Sequence, residues 1–398
     1  MSWAETKTCL KNFKHPAFSL IHFQPSVLHS KLLSLKLSEI ISYFNTLAPF
    51  ALQEGYDNSG LQVGDASLEI TGALICLDVT EEIVDEAITL GFNLIISHHP
   101  VIFRPLKQLS TETETERLIF KAIQHGIALL SLHTNLDFVQ GGVNTKICLK
   151  LGMKNCRMLR PSEDTLLKLA FFVPVKSAQQ VRNAIFDAGA GVIGEYDMCS
   201  FNTNGTGTFR GSAHSDPYVG VSGKLHLEAE IKVETILPVW LRERVVKALL
   251  QNHPYEEVAY DLYPLKNINP AAGLGMIGEL EQAMEENEFL TAVKSIFTAG
   301  CIRHTECTGR KIKKIAVCGG SGSSLINDAI RQGADAFLTA DIKYHQFFDA
   351  GSRLLLADVG HYESEQFTKE LIYELLNEKF PKFALRLTKI NTNPINYL

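Results

Sequence analysis

The sequence predicts an α/β protein: two similar α/β halves forming one domain, with an inserted α+β domain of the ferredoxin-like βαββαβ order. Three observations carry this. Short apolar runs bounded by glycine, such as Leu94-Ile95-Ile96 and Ile127 to Leu132, alternate with segments of helical spacing, the pattern of βαβ units. The plan of the first half returns near the C-terminus, where placing Gly333 on Gly91 lays Asp341 on His99. The stretch between reads strand, helix, strand, strand, helix, strand. The expected boundaries are a poorly ordered extension at 1–35, a first half at 36–164, the insertion at 165–270 and a second half at 271–398.

A chain of 398 residues has room for two or three domains. Its 45% hydrophobic and 21% charged content is that of a soluble globular protein. The formal net charge of −6 gives no support for nucleic acid binding. No apolar run reaches bilayer-spanning length, so no membrane partner is expected. The eight cysteines form no CxxC pair, which suggests reduced thiols in a cytoplasmic protein. Residues 1–35 lack the continuous apolar core and small-residue cleavage site of a secretory signal.

Each element follows from local signals. Leu37, Ile40, Ile41 and Phe44 have helical spacing, and a turn-rich stretch, Tyr56-Asp57-Asn58-Ser59-Gly60-Leu61, comes next. That stretch is a plain loop or one that brings polar groups to a site. Ala73 to Val79 reads as a strand. Thr80 caps a helix that has Glu81 and Glu82 in its first turn and ends at Gly91. Leu94 to Ser97 is the next strand, Glu116 to Gln124 a helix stopped by Gly126, and Ile127 to Leu132 a further strand. The second half reads Lys314 to Cys318 strand, Ser324 to Arg331 helix, then strands at Ala336 to Thr339 and Leu354 to Ala357. In the insertion, strands are expected at Leu167 to Val175, Leu225 to Val233 and Val258 to Tyr263, and helices at Ala178 to Ala188 and Leu237 to Gln251. The Gly- and Thr-rich Asn202 to Gly211 suits hairpin turns.

Parallel sheets place sites at the carboxyl ends of strands, and here those ends carry the chemistry. Leu94 to Ser97 runs into His98-His99-Pro100. Packing alone does not explain adjacent histidines, because each ring nitrogen needs a partner. Neighbouring side chains on a strand point to opposite faces, so both rings reach one metal only if the backbone turns, as Pro100 suggests; otherwise each serves a different metal. The strand ending at Leu132 leads into His133 and Asp137, and the strand ending at Ala357 leads into Gly360-His361 and Glu365. His361 and Glu365 share one face of a helix that begins at Gly360.

Three histidines (His98, His99, His361) and two carboxylates (Asp137, Glu365) exceed the protein ligands of a single catalytic zinc but suit two metals with one carboxylate as bridge. Mixed nitrogen and oxygen donors fit zinc, iron or manganese without choosing among them. His133 could orient Asp137 or act as an acid or base, and His345 could face the same pocket; a structural hydrogen bond is the alternative for either. The Cys318 to Ser324 loop, with Ser321 and Gly322, is either a tight turn or an anion site built from backbone N–H groups. Spacing of three in Cys301, His304 and Cys307 would place the histidine on the strand face opposite both cysteines, which argues against zinc there. His253 with Glu256 and Glu257 could bind metal, but a helix-to-strand connection is the simpler reading.

At these residues a family resemblance emerges. Ser97-His98-His99-Pro100, His133-Thr134-x-x-Asp137, the Cys318-Gly-Gly-Ser-Gly loop, Asp341-Ile-Lys-Tyr-His345, Gly360-His361-Tyr-x-Ser-Glu365 and the ending Asn391-Thr-Asn-Pro394 carry it. The chain resembles the GTP cyclohydrolase I type 2 homologues, also called Nif-three-like dinuclear metal-centre hexameric proteins, from about residue 37 to the end. The resemblance implies two divalent metal ions per chain at His98, His99, Asp137, His361 and Glu365. It also implies a toroidal homohexamer with metal sites facing an internal cavity. The insertion looks like small trimeric signalling and metal-tolerance proteins and is expected to cover the mouth of the assembly.

Two function classes remain. One is a metal-dependent hydrolase in which metal-activated water attacks an electron-poor carbon of a nucleotide-like small molecule, such as guanine C8 of GTP. Lys343, or Ser321 and Gly322 in the Cys318 loop, would then hold phosphates. The other is a non-catalytic metal-binding or scaffold protein whose insertion binds a regulator.

Overall fold

A computed structural model describes residues 35–398. The expected extension at 1–35 lies outside the described residues except for Leu35. Strand β1 (Leu35–Lys36) leads into helix α1 (Leu37–Leu47), which buries Leu37, Ile40 and Phe44 at helical spacing. Strands β2 (Gly60–Val63) and β3 (Glu69–Ile70) follow, β3 pairing antiparallel with β1. The chain then builds β4 (Ala73–Cys76), α2 (Glu81–Leu90), β5 (Leu94–Ser97), α3 (Glu114–Gln124) and β6 (Ala128–Ser131). Both helices begin at threonine. Thr80 Oγ1 accepts the Ile83 N–H, and Thr113 forms a reciprocal capping box with Glu116. Gly91 ends α2 in the left-handed conformation, φ 69°. β4, β5 and β6 lie parallel, and β2 joins the β6 edge antiparallel.

Short helices α4 (Thr134–Asp137) and α5 (Val143–Lys150) lead to β7 (Lys154–Ser162). The insertion contains β8 (Leu166–Pro174), α6 (Ala178–Asp187), β9 (Ser200–Phe209), β10 (His226–Pro238), α7 (Arg242–Asn252) and β11 (Tyr260–Leu265). Its antiparallel sheet has the order β11-β8-β10-β9, the ferredoxin-like arrangement. The stretch expected to hold hairpin turns is mostly β9, an edge strand in register with β10 from Ser200 opposite Thr235 to Phe209 opposite His226. The β10 ladder overrides the low strand preference of its glycines.

Past the insertion come β12 (Asn269–Met284), α8 (Glu286–Ile296), β13 (Arg303–His304), β14 (Ile312–Ser321), α9 (Ile326–Arg331), β15 (Ala336–Ala340), α10 (Phe347–Ala350), β16 (Leu355–Asp358), α11 (His361–Glu365), α12 (Thr368–Lys379) and β17 (Leu385–Leu387). The second sheet runs β13-β16-β15-β14-β12-β7, with β14, β15 and β16 parallel as in the first half. β17 returns to the first sheet, parallel to β4. β7 precedes the insertion in sequence yet belongs to the second sheet, paired with β12, so residues 36–164 contribute to both sheets.

The two sheets share one core. Ile75, Leu94, Ile96 and Leu130 of the first meet Ile315, Val317, Leu338 and Leu355 of the second, with Phe44, Ile147, Val293 and Ile372 from helices in the same cluster. Alternate residues of the first sheet, Leu74, Ile95 and Leu129, pack under α2 and α3; those of the second, Ala316, Phe337 and Leu356, pack under α9. Parallel strands buried on both faces account for their continuous apolar runs. No helix among the described residues is long and apolar enough to cross a membrane.

Candidate metal centre

The parallel strands of both sheets end around one cavity. β4 leads to Asp78, β5 to His98 and His99, β6 to His133 and Asp137, and β16 with α11 to His361 and Glu365. Asp57 comes from the opposite direction. It precedes antiparallel β2, whose Gly60 sits opposite Ser131 at the end of β6. The N–H groups of His98 and His99 both donate to the Leu77 carbonyl, at 3.2 and 3.0 Å. The strand therefore turns at this pair, the usual alternation is broken, and the two ring centroids lie 5.0 Å apart.

Every ring at the centre is held by its Nδ1. That atom lies 2.7 Å from the Leu132 carbonyl in His98, from Asp78 in His99, from Asp57 in His133 and from Asp341 in His361. Carbonyl and carboxylate oxygens only accept, so Nδ1 carries a proton and the neutral ring keeps its lone pair on Nε2. The Nε2 atoms converge. Those of His99 and His361 are 3.3 Å apart, and Glu365 Oε2 is 2.9 Å from the first and 3.0 Å from the second. Glu365 Oε1 and Asp137 Oδ1 lie 3.7 and 3.8 Å from His98 Nε2.

The electrostatics call for a cation. Burial would lower the His99 pKa, but Asp78 and Glu365 outweigh it and raise it to about 9. Burial likewise opposes protonation of His361, and Asp341 with Glu365 raises it to about 11. Burial would raise Glu365, yet the neighbouring His98 and hydrogen bonds with its histidine neighbours hold it well below the carboxylate range. Burial pushes Asp137 up to about 7, against the opposing influence of His98. His98 Nε2 and Asp137 Oδ1 are both buried without a hydrogen-bond partner, although such atoms are rarely left unsatisfied. His99, His361 and Glu365 form one trio of donor atoms within 4.8 Å; His98, Asp137 and Glu365 form another, and His98, His99 and His133 a third. These donors could hold a metal ion.

Gly320 makes room for them. It adopts φ 61°, and a Cβ there would lie 2.1 Å from Glu365 Oε1. Its N–H donates to Ser364 Oγ at 2.9 Å, that of Gly319 to Asn144 Oδ1 at 2.9 Å, and that of Gly322 to Thr339 Oγ1 at 2.8 Å. These three amides serve the fold and are not open to an anion. Ser321 and Gly322 do line the cavity of about 500 Å³, with Tyr56, Phe103 and His133. Lys343 and His345 do not. Asp341 takes a left-handed backbone, φ 57°, to reach His361, and the turn after it is exposed, with the His345 ring against Tyr344. His133 is fixed by Asp57 instead of orienting Asp137.

Asp78 and Asn144 escape the reading of the sequence, while Asp57 and Thr392 enter it only as members of the turn-rich stretch and of the ending motif. Asp78 follows a strand end just as His98 does, and Thr392 Oγ1 of the C-terminal motif donates to it at 2.8 Å. Asp57 is the polar group that the turn-rich stretch supplies. Neither of the other candidate clusters forms a donor group. Both His253 ring nitrogens are hydrogen-bonded locally, and the exposed His304 bonds the Thr305 carbonyl.

The sequence matches the Duf34/NIF3 family (NGG1p interacting factor 3) over residues 35–394. A protein of Halalkalibacterium halodurans named GTP cyclohydrolase 1 type 2 homolog is 40% identical over 364 residues, covering 90% of this chain and 98% of that protein. Its namesake in Bacillus subtilis is 39% identical over 373 residues, covering 92% and 99%. A crystal structure of a Bacillus cereus protein related to NIF3 superposes with a TM-score of 0.78 at 39% identity, over 93% of this chain and 100% of that one. The Staphylococcus aureus protein SA1388 follows at 0.72 and 30% identity, over 92% and 99%. With its shared core, strand-end histidines and match over nearly the whole described length, the chain belongs to the Duf34/NIF3 family.

Proposed function

We propose that this protein is a metal-dependent hydrolase with a dinuclear centre, acting on a nucleotide-like small molecule. The observation that carries the reading is Glu365. Its two carboxylate oxygens face different donor sets, one with His99 and His361, the other with His98 and Asp137. Glu365 would bridge two divalent ions, zinc, iron or manganese, with those two sets as their other ligands. Metals held there supply Lewis acidity and lower the pKa of water, the chemistry of hydrolysis. The Nδ1 partners Leu132, Asp78 and Asp341 hold the ligand rings in one orientation and one tautomer. His133, with Nδ1–H on Asp57, keeps Nε2 free to take or give a proton in the cavity. Tyr56 and Phe103, with ring centroids 6.3 Å apart, offer flat apolar surface to a heteroaromatic base. The names of the relatives support a nucleotide only as names.

A homohexamer in the cytoplasm completes the proposal. The exposed Leu106, Leu109 and Ile123, which line one surface hollow, favour a face covered by protein, and the seven described free cysteines suit a reducing compartment.

The test is metal content per chain by elemental analysis, followed by GTP turnover on the same sample. Near two metals with ring opening is the expected result. Two metals without turnover would discard GTP and favour a scaffold; no metal even after reloading would overturn the centre. His98→Ala and His361→Ala should each lose metal while remaining folded.

A further inference from the structure

Two sequence motifs play no part in the metal centre: the Gly- and Thr-rich stretch 202–211 and the run His253-Pro-Tyr-Glu-Glu257. In the fold they meet at a cavity of about 680 Å³ in the inserted domain. One face of that domain's sheet packs on α6 and α7 through Leu169, Phe171, Val233 and Leu237. Phe172, Glu230 and Lys232 alternate with these residues and lie on the other face. Such a face of an antiparallel sheet is commonly left to solvent. Here residues 210–218 and 255–257 roof it, and Glu230 is only 8% exposed.

The floor is shaped for that carboxylate. Gly205 and Gly207 stand opposite Glu230 and Glu228 in the β9–β10 register. A Cβ on Gly207 would lie 2.0 Å from Glu230 Oε2, so the carboxylate rests on bare backbone. This explains glycine inside a strand, where it weakens pairing and marks a close approach. The second motif builds the wall. His253 is buried, its Nε2–H donates to the Phe172 carbonyl at 2.9 Å, and its Nδ1 accepts the Tyr255 N–H at 3.1 Å. The turn locked in this way presents Tyr255, whose hydroxyl donates to Glu230 Oε1 at 2.6 Å. The Phe209 and Tyr218 rings lie 6.1 and 6.2 Å from the Tyr255 ring.

Among the described residues Glu230 forms no ion pair. Lys232, on the same wall, pairs with Glu234 at 3.4 Å, and Arg210 is exposed at the rim. A buried carboxylate without a cationic partner carries an uncompensated desolvation cost. Aromatic faces beside it add attraction for positive charge. We infer that this cavity binds a small organic cation, an ammonium or guanidinium head whose charge meets Glu230 and whose body lies against Tyr255, Tyr218 and Phe209.

The test is calorimetric titration of the full-length protein with agmatine, choline and spermidine, with glutamate as the anionic control. At least one cation should bind with a sub-millimolar Kd, and glutamate should not. Glu230→Gln keeps shape and removes charge, and should weaken that binding at least tenfold with metal content unchanged. Tyr218→Ala alters an exposed side chain and should weaken it several-fold. Absence of binding by all three cations overturns the inference, as does a Glu230→Gln protein that binds as the wild type does. If Glu230→Gln fails to fold, undiminished binding by Tyr218→Ala does the same.

Discussion

Substituting alanine for Gly320 probes Glu365, the carboxylate on which the proposed centre depends. Two costs add. At φ 61° an L-residue is in the left-handed region, which costs roughly 1–2 kcal/mol. The new Cβ would also sit 2.1 Å from Glu365 Oε1, well inside any contact that real Cβ atoms make. The Glu365 carboxylate borders the cavity and can yield into it, so it must shift by about 1 Å away from its histidine neighbours, a displacement that can cost about 100-fold in a site of fixed geometry. Gly91→Ala is the control. Its φ is 69°, and nothing lies within 4 Å of an added Cβ, so it carries the backbone cost alone. Chelator competition should show metal affinity about 100-fold weaker in Gly320→Ala and unchanged in Gly91→Ala, with both proteins melting lower than wild type. Equal affinity in the two variants would refute Glu365 as a ligand in this geometry.

Two further outcomes are expected. Asp57→Asn should leave metal content intact but lower kcat about 10- to 100-fold and shift its pH profile, because the Nδ1 partner that fixes the His133 tautomer is changed; an unaltered profile would remove His133 from proton transfer. The histidine pKa values raised to about 9 for His99 and about 11 for His361 set the second. A raised pKa adds stability that is complete below the unfolded value, about 6.5, and is lost as pH climbs through the folded value. The metal-free protein should therefore weaken from about pH 6.5 upward through both histidines, the His99 contribution running out near pH 9 and that of His361 continuing beyond it. The hydrogen bond from Cys148 lowers Cys156 to about 7, which works in the opposite sense over this window. The readout is accordingly the melting difference between metal-loaded and metal-free samples, in which that thiol cancels. The difference should widen with pH, and a narrowing would count against protonated histidines at the centre.

Much of this protein is legible in its sequence because the signals are local. The caps at Thr80 and Gly91 and the apolar runs ending at Ser97 and Ser131 depend on neighbours a few residues away. So does the four-residue spacing of His361 and Glu365, which holds on α11 as the helical period requires. Side chains of metal-binding chemistry at successive strand ends are likewise a local signal, and the fold brings His98, His99, Asp137, His361 and Glu365 together.

What the sequence could not supply is pairing over distance. β7 and β12 join across the whole insertion, and β9 is a strand only because β10 lies beside it. Asp57, Asp78 and Asp341 have no visible partner in the sequence until folding brings each within 2.7 Å of a histidine Nδ1. The Cys318 loop keeps the composition of an anion site, but Asn144, Ser364 and Thr339 take three of its amides, and none of the three is near it in sequence. Propensity and periodicity are properties of a few adjacent residues. The partner of a buried hydrogen-bonding group is chosen by the packing of the whole chain, and only the tertiary structure decides it.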